Sequence, residues 1–391
     1  MRSGLPRTAD LVVVGGGVVG AATAFFAAAA GLKPVIVEAR PALATLTTPV
    51  AAGAFRLQFE TREELDLARE SVALFLNFEE VTRQRRYRLD LRQPGYLWLT
   101  TSEETAARQR HLVARLHGWG QTDVELLDGD EARRRFPFVG PNVLQARFRQ
   151  GDGFLETKAL TYGLAVGSGA EVVTDCRVTG FGVKGDRLYT VETTRGAVSS
   201  PVAVIAAGPL SGPVAATAGL DLPVATVRRH KLWMPGLAAV PPGAPMTIDE
   251  DTGAHWRPAF GGAWVLYPDP SEPPGPPAET VPLNPSFAFR VLDPASPSSV
   301  ARVTPFWRDV WDHGAHPWVL QAGQYTMTPD RRPLIGPTAV EGLFVNTGYS
   351  GHGIMLSPAG GRVLAEALTR PLGADPFAPD RTFEAPPPSA L

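Results

Sequence analysis

The run Gly15-Gly16-Gly17-Val18-Val19-Gly20, set between Leu11-Val12-Val13-Val14 and an alanine-rich stretch ending at Gly31, most constrains this chain. The β-branched segment predicts a short buried strand. The alanines predict a helix over 18–30, stopped by Gly31, and Val35-Ile36-Val37-Glu38 predicts the next strand. That is a βαβ unit, and its first turn fits G-x-G-x-x-G. Gly15 permits the tight turn out of the strand. Gly17 leaves a pyrophosphate room to approach the backbone, and Gly20 lets the helix pack close to the strand. The helix start, at Val18 and Val19, offers free N–H groups and a partial positive charge to phosphates. Glu38 ends the second strand, where a carboxylate accepts hydrogen bonds from ribose hydroxyls. Strand, helix, second strand and acid in order specify a dinucleotide site, without separating NAD from FAD.

Residues 11–32 carry no charge, which on hydropathy alone suggests a signal peptide or a membrane span. Three consecutive glycines weaken an apolar helix, so neither is expected, and the chain is expected in the cytoplasm. A net charge of −2 excludes nothing by itself but gives no reason to expect a nucleic-acid or membrane-surface partner. The basic runs at Arg83, Arg85, Arg86 and Arg88 and at residues 133–135 are read as solvated, balanced by Glu79, Glu80, Asp128, Asp130 and Glu131. The single cysteine, Cys176, excludes an internal disulfide framework and is expected as a small buried residue in a strand. His313 and His316 have no cysteine or carboxylate cluster beside them, so no metal is expected.

Further along, apolar residues at Leu65, Ala68, Val72 and Phe75 predict a helix over 61–82. Tyr96-Leu97-Trp98-Leu99 predicts a strand, and residues 103–117 a helix stopped by Gly118. Segment 224–267 is strand-rich. Residues 268–286 contain eight prolines and predict a loop, either a lid on a substrate region or a surface insertion. Residues 202–206 predict a buried strand running into Ala207-Gly208. Leu343-Phe344-Val345-Asn346 leads into the glycine-rich turn Gly348-Tyr349-Ser350-Gly351-His352-Gly353, with a helix expected over 359–368. The tail from Ala385 to Leu391 is expected to be disordered.

These ordered motifs, with Gln150-Gly151-Asp152-Gly153-Phe154-Leu155-Glu156 and His255-Trp256-Arg257-Pro258, resemble the flavin amine oxidoreductases of the D-amino-acid oxidase superfamily. The likeness spans residues 11–368 and is strongest to the branch holding sarcosine oxidase and glycine oxidase. It implies an α/β fold: an FAD-binding Rossmann-type (glutathione-reductase-like) domain interleaved with an α+β substrate domain built on an antiparallel sheet. The implied division gives residues 1–90, 150–225 and 320–391 to the FAD part, and 91–149 and 226–319 to the substrate part.

The glycine fingerprint and the resemblance together assign FAD contacts to Gly15, Gly17, Val18, Val19, Gly20, Glu38, Ala39 and Arg40. Thr47, Thr48, Ala52 and Gly53 follow, then Val178, Ala207, Gly208 and Gly323. The second glycine-rich turn adds Gly348, Gly351, His352, Gly353, Ile354 and Met355. Relatives that attach FAD through cysteine carry it where this chain has Gly323, so non-covalent FAD is expected. The implied reaction moves a hydride from a carbon next to nitrogen to flavin N5, giving an imine that hydrolyses. The implied catalytic residues are Arg56, Tyr325 and His352, and the implied substrate contacts are Arg56, Arg257, Tyr325, Tyr349 and Met355. Trp233 and Trp256 complete an expected aromatic cup. Carboxylate-binding cations of relatives fall at Met355 and near Tyr325, which are uncharged here. The expected substrate is therefore a bulkier or less polar amine, or an amino acid held by one Arg. Relatives that use O2 place a lysine on the strand matching residues 262–267, which has none. Lys231 is the nearest lysine, on a strand that could face elsewhere. O2 or another electron acceptor therefore stays open, as does the oligomeric state. A tRNA-modifying flavoenzyme and a flavin hydroxylase are the alternative readings.

Overall fold

The computed structural model describes residues 4–314, 316–370 and 375–386. A six-stranded sheet forms on the fingerprint strand Leu11–Val14, which pairs in parallel with Pro34–Val37 on one side and Ala203–Ile205 on the other. Glu171–Val173 and Leu343–Thr347 extend it in parallel, and Leu334–Pro337 closes one edge antiparallel. Leu11 and Val13 face a helical layer, while Val12 and Val14 face a layer built on an antiparallel three-stranded sheet, 178–199. Burial on both faces explains an unbroken β-branched strand. In the helical layer, Val18–Ala29 lies against Gly353–Thr369. Their approach is close: a Cβ on Gly361 would lie 2.7 Å from the Ala22 carbonyl oxygen.

The second large sheet has nine strands, mostly antiparallel, and draws on Tyr96–Thr100, Gln145–Arg149, Ala225–Met234, Met246–Asp249, His255–Ala259, Gly262–Leu266 and Val319–Met327 among others. Its register sorts the side chains by chemistry. Leu97, Leu99, Leu232, Met234, Trp256, Ala263 and Val265 go to an apolar core. Strand alternation and cross-strand pairing place Tyr96, Trp98, Lys231, Trp233, His255, Arg257 and Trp264 on the other face. A two-residue ladder, Ala54–Phe55 with Gly153–Phe154, lies by that face. Val319–Met327 pairs along its length with Ala225–Met234, so the expected boundary at 319/320 falls inside one strand of this sheet.

Several expected elements shift. The helix over 61–82 is two helices, Arg62–Leu76 and Phe78–Thr82, separated at Asn77. The helix from Glu103 runs to Gly118, and the left-handed turn that ends it falls at Gly120 (φ 81°) rather than Gly118. The last helix begins at Gly353, not 359, and takes Pro358 into its interior, where one backbone hydrogen bond is lost. Cys176 is buried but lies between strands. In the tail, residues 387–391 lie outside the described residues.

Candidate active site

The fingerprint turn opens onto a cavity of about 330 Å³. Its local geometry follows the glycines. Gly15 turns with φ 112°, and a Cβ there would lie 2.6 Å from the Ala206 carbonyl oxygen. A Cβ on Gly20 would lie 1.9 Å from the Gly15 carbonyl oxygen, so helix and strand touch at this point. Gly17 differs, since its Cβ would meet only Thr48 Oγ1, at 3.4 Å, and the space beside it is free for a ligand. Val18 N donates to Thr48 Oγ1 (3.3 Å). Glu38 accepts from Gly16 N (2.7 Å) and Arg40 N (2.8 Å). Burial raises its pKa above the usual carboxylate value, opposed by those two donors.

Gly15, Gly17, Val18, Val19, Glu38, Ala39, Arg40, Thr47, Thr48, Val178, Ala207, Gly208, Gly348, Gly351, Gly353 and Ile354 all line this cavity. Two helix starts, at Val18 and Gly353, open onto it and direct their positive ends inward. A donor-rich phosphate end, an apolar middle and a second positive helix end fit an FAD. Gly20, Ala52, Gly53, Gly323, His352 and Met355 are not in the cavity wall. Gly20 serves packing. Gly323 lies against Val50, whose Cβ a Cβ on Gly323 would approach to 3.3 Å. Met355 is buried in the helical-layer core, where its neighbours are apolar.

Residues that the sequence pattern missed also line the cavity, among them Cys176, Arg177, Gln324 and Glu279. Glu279 belongs to the proline-rich loop, which is thus more than a plain insertion. The loop is strapped to the cofactor side. Arg177 pairs with the Glu279 carboxylate (2.9 Å), and Arg40 Nη1 donates to the Glu279 carbonyl (2.9 Å). Ala278 and Gln324 exchange two hydrogen bonds of 2.7 Å, and Pro274–Gly275 adds to the edge of Ala225–Met234. No local signal in 268–286 reveals partners so distant in sequence.

Arg56 is buried, 3% exposed, on the segment after Ala54–Phe55. Asp152 fixes that segment by accepting from Leu57 N (2.9 Å) and Gln58 Nε2 (2.7 Å). Arg56 donates to the Gln58 carbonyl (3.3 Å), approaches His352 Nε2 (3.4 Å) and stands by the Phe59 and Trp98 rings. It has no carboxylate partner among the described residues. His352 Nδ1 lies 3.7 Å from Glu64 Oε1, a residue that sequence reading passed over as part of a helix. Burial holds His352 below its usual pKa, against the pull of Glu64. Burial alone would raise Glu64, but His352 and Thr61 outweigh it and its pKa falls.

Tyr325 is half-buried and lines the cavity, its ring against Gly351, where a Cβ would come within 2.6 Å. Burial raises its pKa. Tyr349 lines the cavity, but its hydroxyl donates to Asn346 Oδ1 (2.6 Å) beside Gly360, so it is held in the helix–sheet interface rather than free for a substrate. Trp256 turns into the opposite core, and only Trp233 of the two tryptophans shares the site face. Arg257 is 5% exposed, donates to the carbonyls of Ala52 and Pro258 (2.9 Å each), and stands 4.2 Å from the Phe154 ring and 4.0 Å from the Trp264 ring. Burial lowers its pKa to about 9. Lys231 does not face elsewhere. It lies on the same sheet face, 3.8 Å from the Trp264 ring, and donates to the Pro49 carbonyl (3.2 Å). Burial, then Arg257, lowers its pKa to about 7. Of the basic runs, Arg133, Arg134 and Arg135 pair with Asp130, Glu131 and Glu125. Among the described residues there is no metal-ligand cluster and no helix long and apolar enough to cross a membrane.

Comparison with known proteins agrees with this architecture. FAD-dependent oxidoreductase domain-containing protein 1 of Xenopus laevis is 26% identical, covering 93% of this chain and 79% of that protein. Mouse mitochondrial dimethylglycine dehydrogenase is 25% identical over 94% of this chain, but this chain spans only 43% of that protein. Among solved structures, L-proline dehydrogenase from P. horikoshii superposes with a TM-score of 0.82 at 23% identity, covering 96% of this chain and 98% of that one. Glycine oxidase from Geobacillus kaustophilus gives 0.82 at 24%, covering 97% and 100%. Residues 10–367 match the family described as FAD dependent oxidoreductase (DAO). With that match over most of its length, and a cavity lined by the glycine fingerprint and by Gln324, Tyr325 and Thr326 of the second sheet, the chain belongs to the DAO family of FAD-dependent oxidoreductases.

Proposed function

We propose that this enzyme oxidises the C–N bond of an amine or N-substituted amino acid, using FAD held without a covalent bond. Arg56 carries the reading: a buried guanidinium with no carboxylate partner among the described residues, 3.4 Å from His352 Nε2. An isolated buried cation is costly unless a ligand neutralises it, and a substrate carboxylate does so by a two-point contact. FAD, when bound, accepts the two electrons and the hydrogen that leave the carbon next to nitrogen. The protein's part is to hold the carboxylate at Arg56, to keep the aromatic walls dry and to orient the C–H bond. The substrate enters as the free amine, whose lone pair forms the C=N bond as hydride leaves. No protein base is needed for that step, and the imine hydrolyses in water. Gly323 supports non-covalent attachment, as does the placement of the only cysteine beside Arg177, at the Glu38 end of the cavity.

Lys231 on the site face keeps O2 as an acceptor beside the alternative of another redox partner. An anaerobic screen of amines and N-methyl amino acids tests the reaction by loss of the visible flavin absorbance. Readmitting air then tests the acceptor. Reoxidation no faster than that of free flavin assigns the electrons to another acceptor, and failure of every amine to bleach the flavin overturns the reading.

A further inference from the structure

Positive charge on the substrate face exceeds what one carboxylate neutralises. The sheet strands put Arg147, Arg149, Arg229 and Arg257 on that face. Arg147 pairs with Glu250 (3.1 Å), and Arg149 with Asp123 (2.8 Å) and Asp152 (2.6 Å). Arg229 forms no ion pair among the described residues, but it stands at the Tyr325 ring and donates to the carbonyls of Arg228 (3.1 Å) and Asp269 (3.5 Å). Arg257 has no carboxylate among the described residues, nor has Arg56. Lys231 is held at the Pro49 carbonyl, next to the cavity-lining Thr48, and so belongs to the cofactor side. Of these unpaired arginines, Arg56 and Arg257 flank one apolar cluster of Ala54, Tyr96, Trp98, Phe154, Met246 and Ile248. Arg56 stands 5.2 Å from the Trp98 ring, and Arg257 stands 4.2 Å from the Phe154 ring. Each keeps one terminal nitrogen without a hydrogen-bond partner among the described residues, Nη1 on Arg56 and Nη2 on Arg257. Tyr96 is buried on the same face, within electrostatic range of both.

We infer that the substrate carries two carboxylates joined by a short apolar linker, one bound at Arg56 and the other at Arg257, with the Tyr96 hydroxyl donating between them. This rests on the amine-oxidoreductase reading for the nitrogen and on the two arginines alone for the second carboxylate. Removing either guanidinium from a bound diacid leaves a buried anion without its charged partner, the costliest kind of lost hydrogen bond.

The test uses the yellow holoenzyme. Glutarate and butyrate, which cannot react, are titrated while the flavin spectrum and the melting temperature are followed. N-methylglutamate and N-methylalanine are compared as anaerobic reductants. Expected are at least tenfold tighter binding of glutarate and a preference for N-methylglutamate of about the same size, both reduced toward parity in Arg257→Met. Arg257→Lys, which keeps the charge but not the fork, gives the same direction should the first variant not fold. Equal binding of glutarate and butyrate overturns the inference, even where amines bleach the flavin and the functional reading stands. Tighter glutarate binding with no amine oxidised supports the two-anion site and overturns the functional reading instead.

Discussion

Replacing Gly17 by alanine separates the fold from cofactor binding, because the fingerprint glycines differ in what surrounds them. Gly17 has φ −78° and ψ −179°, open to any residue, and its new Cβ meets only Thr48 Oγ1 at 3.4 Å. The apo fold should therefore lose no more than about 1 kcal/mol, the difference between glycine and alanine at a helix N-cap. The methyl group, however, fills the space where a phosphate must reach the helix start. Loss of one charge-assisted contact, about 1.5–3 kcal/mol, weakens FAD binding about 10- to 150-fold. At Gly20 the same substitution sets a Cβ 1.9 Å from the Gly15 carbonyl oxygen, so backbone must move. That costs about 1–3 kcal/mol or more in stability whether or not FAD is present. Denaturant unfolding of the apo-proteins and FAD titration by flavin fluorescence measure both terms. Gly17→Ala binding FAD as tightly as the parent, or Gly20→Ala folding as stably, refutes the reasoning.

Other outcomes follow from the same geometry. Glu279→Ala should release FAD about two- to fivefold faster, since its pair with Arg177 is half-exposed, and the difference should vanish in high salt; an unchanged stopped-flow release rate removes the strap. Lys231 has a folded pKa lowered to about 7, so the unfolded chain binds more protons between pH 7 and its ordinary value of 10.5, and stability attributable to this residue rises with pH across that window. Lys231→Met should remove that rise, on the order of 1 kcal/mol per pH unit, in denaturant titrations at several pH values. Glu64→Gln should raise KM several-fold with little change in kcat, because Glu64 orients Arg56 through His352 rather than touching the substrate; a fall in kcat at constant KM contradicts that role.

The parts legible in the sequence are those with short-range causes. The βαβ unit from Leu11 to Val37 was readable because strand, turn and helix lie within one continuous stretch, each glycine answering a local steric demand. The start of the last helix was not, since Pro358 reads as a boundary although tertiary packing against Val18–Ala29 carries the helix through it. Arg56 was legible from its motif, but its neighbour Glu64 was not, because its contact with His352 joins a helix to a turn distant in sequence. The stack of Arg257 and Lys231 on Trp264 depends on the register of three strands, and a one-residue slip in any of them would send its side chain to the opposite face. The strap of the proline-rich loop likewise depends on where Arg40 and Arg177 come together in space.

The most direct measurement mixes the yellow protein, without air, with an N-methyl amino acid deuterated at the carbon next to nitrogen, alongside the undeuterated compound. Bleaching of the flavin by both, several-fold slower with deuterium and with one carbonyl product per flavin reduced, is the predicted result. A flavin that stays oxidised with every amine offered, or a protein that takes up no FAD, contradicts the account.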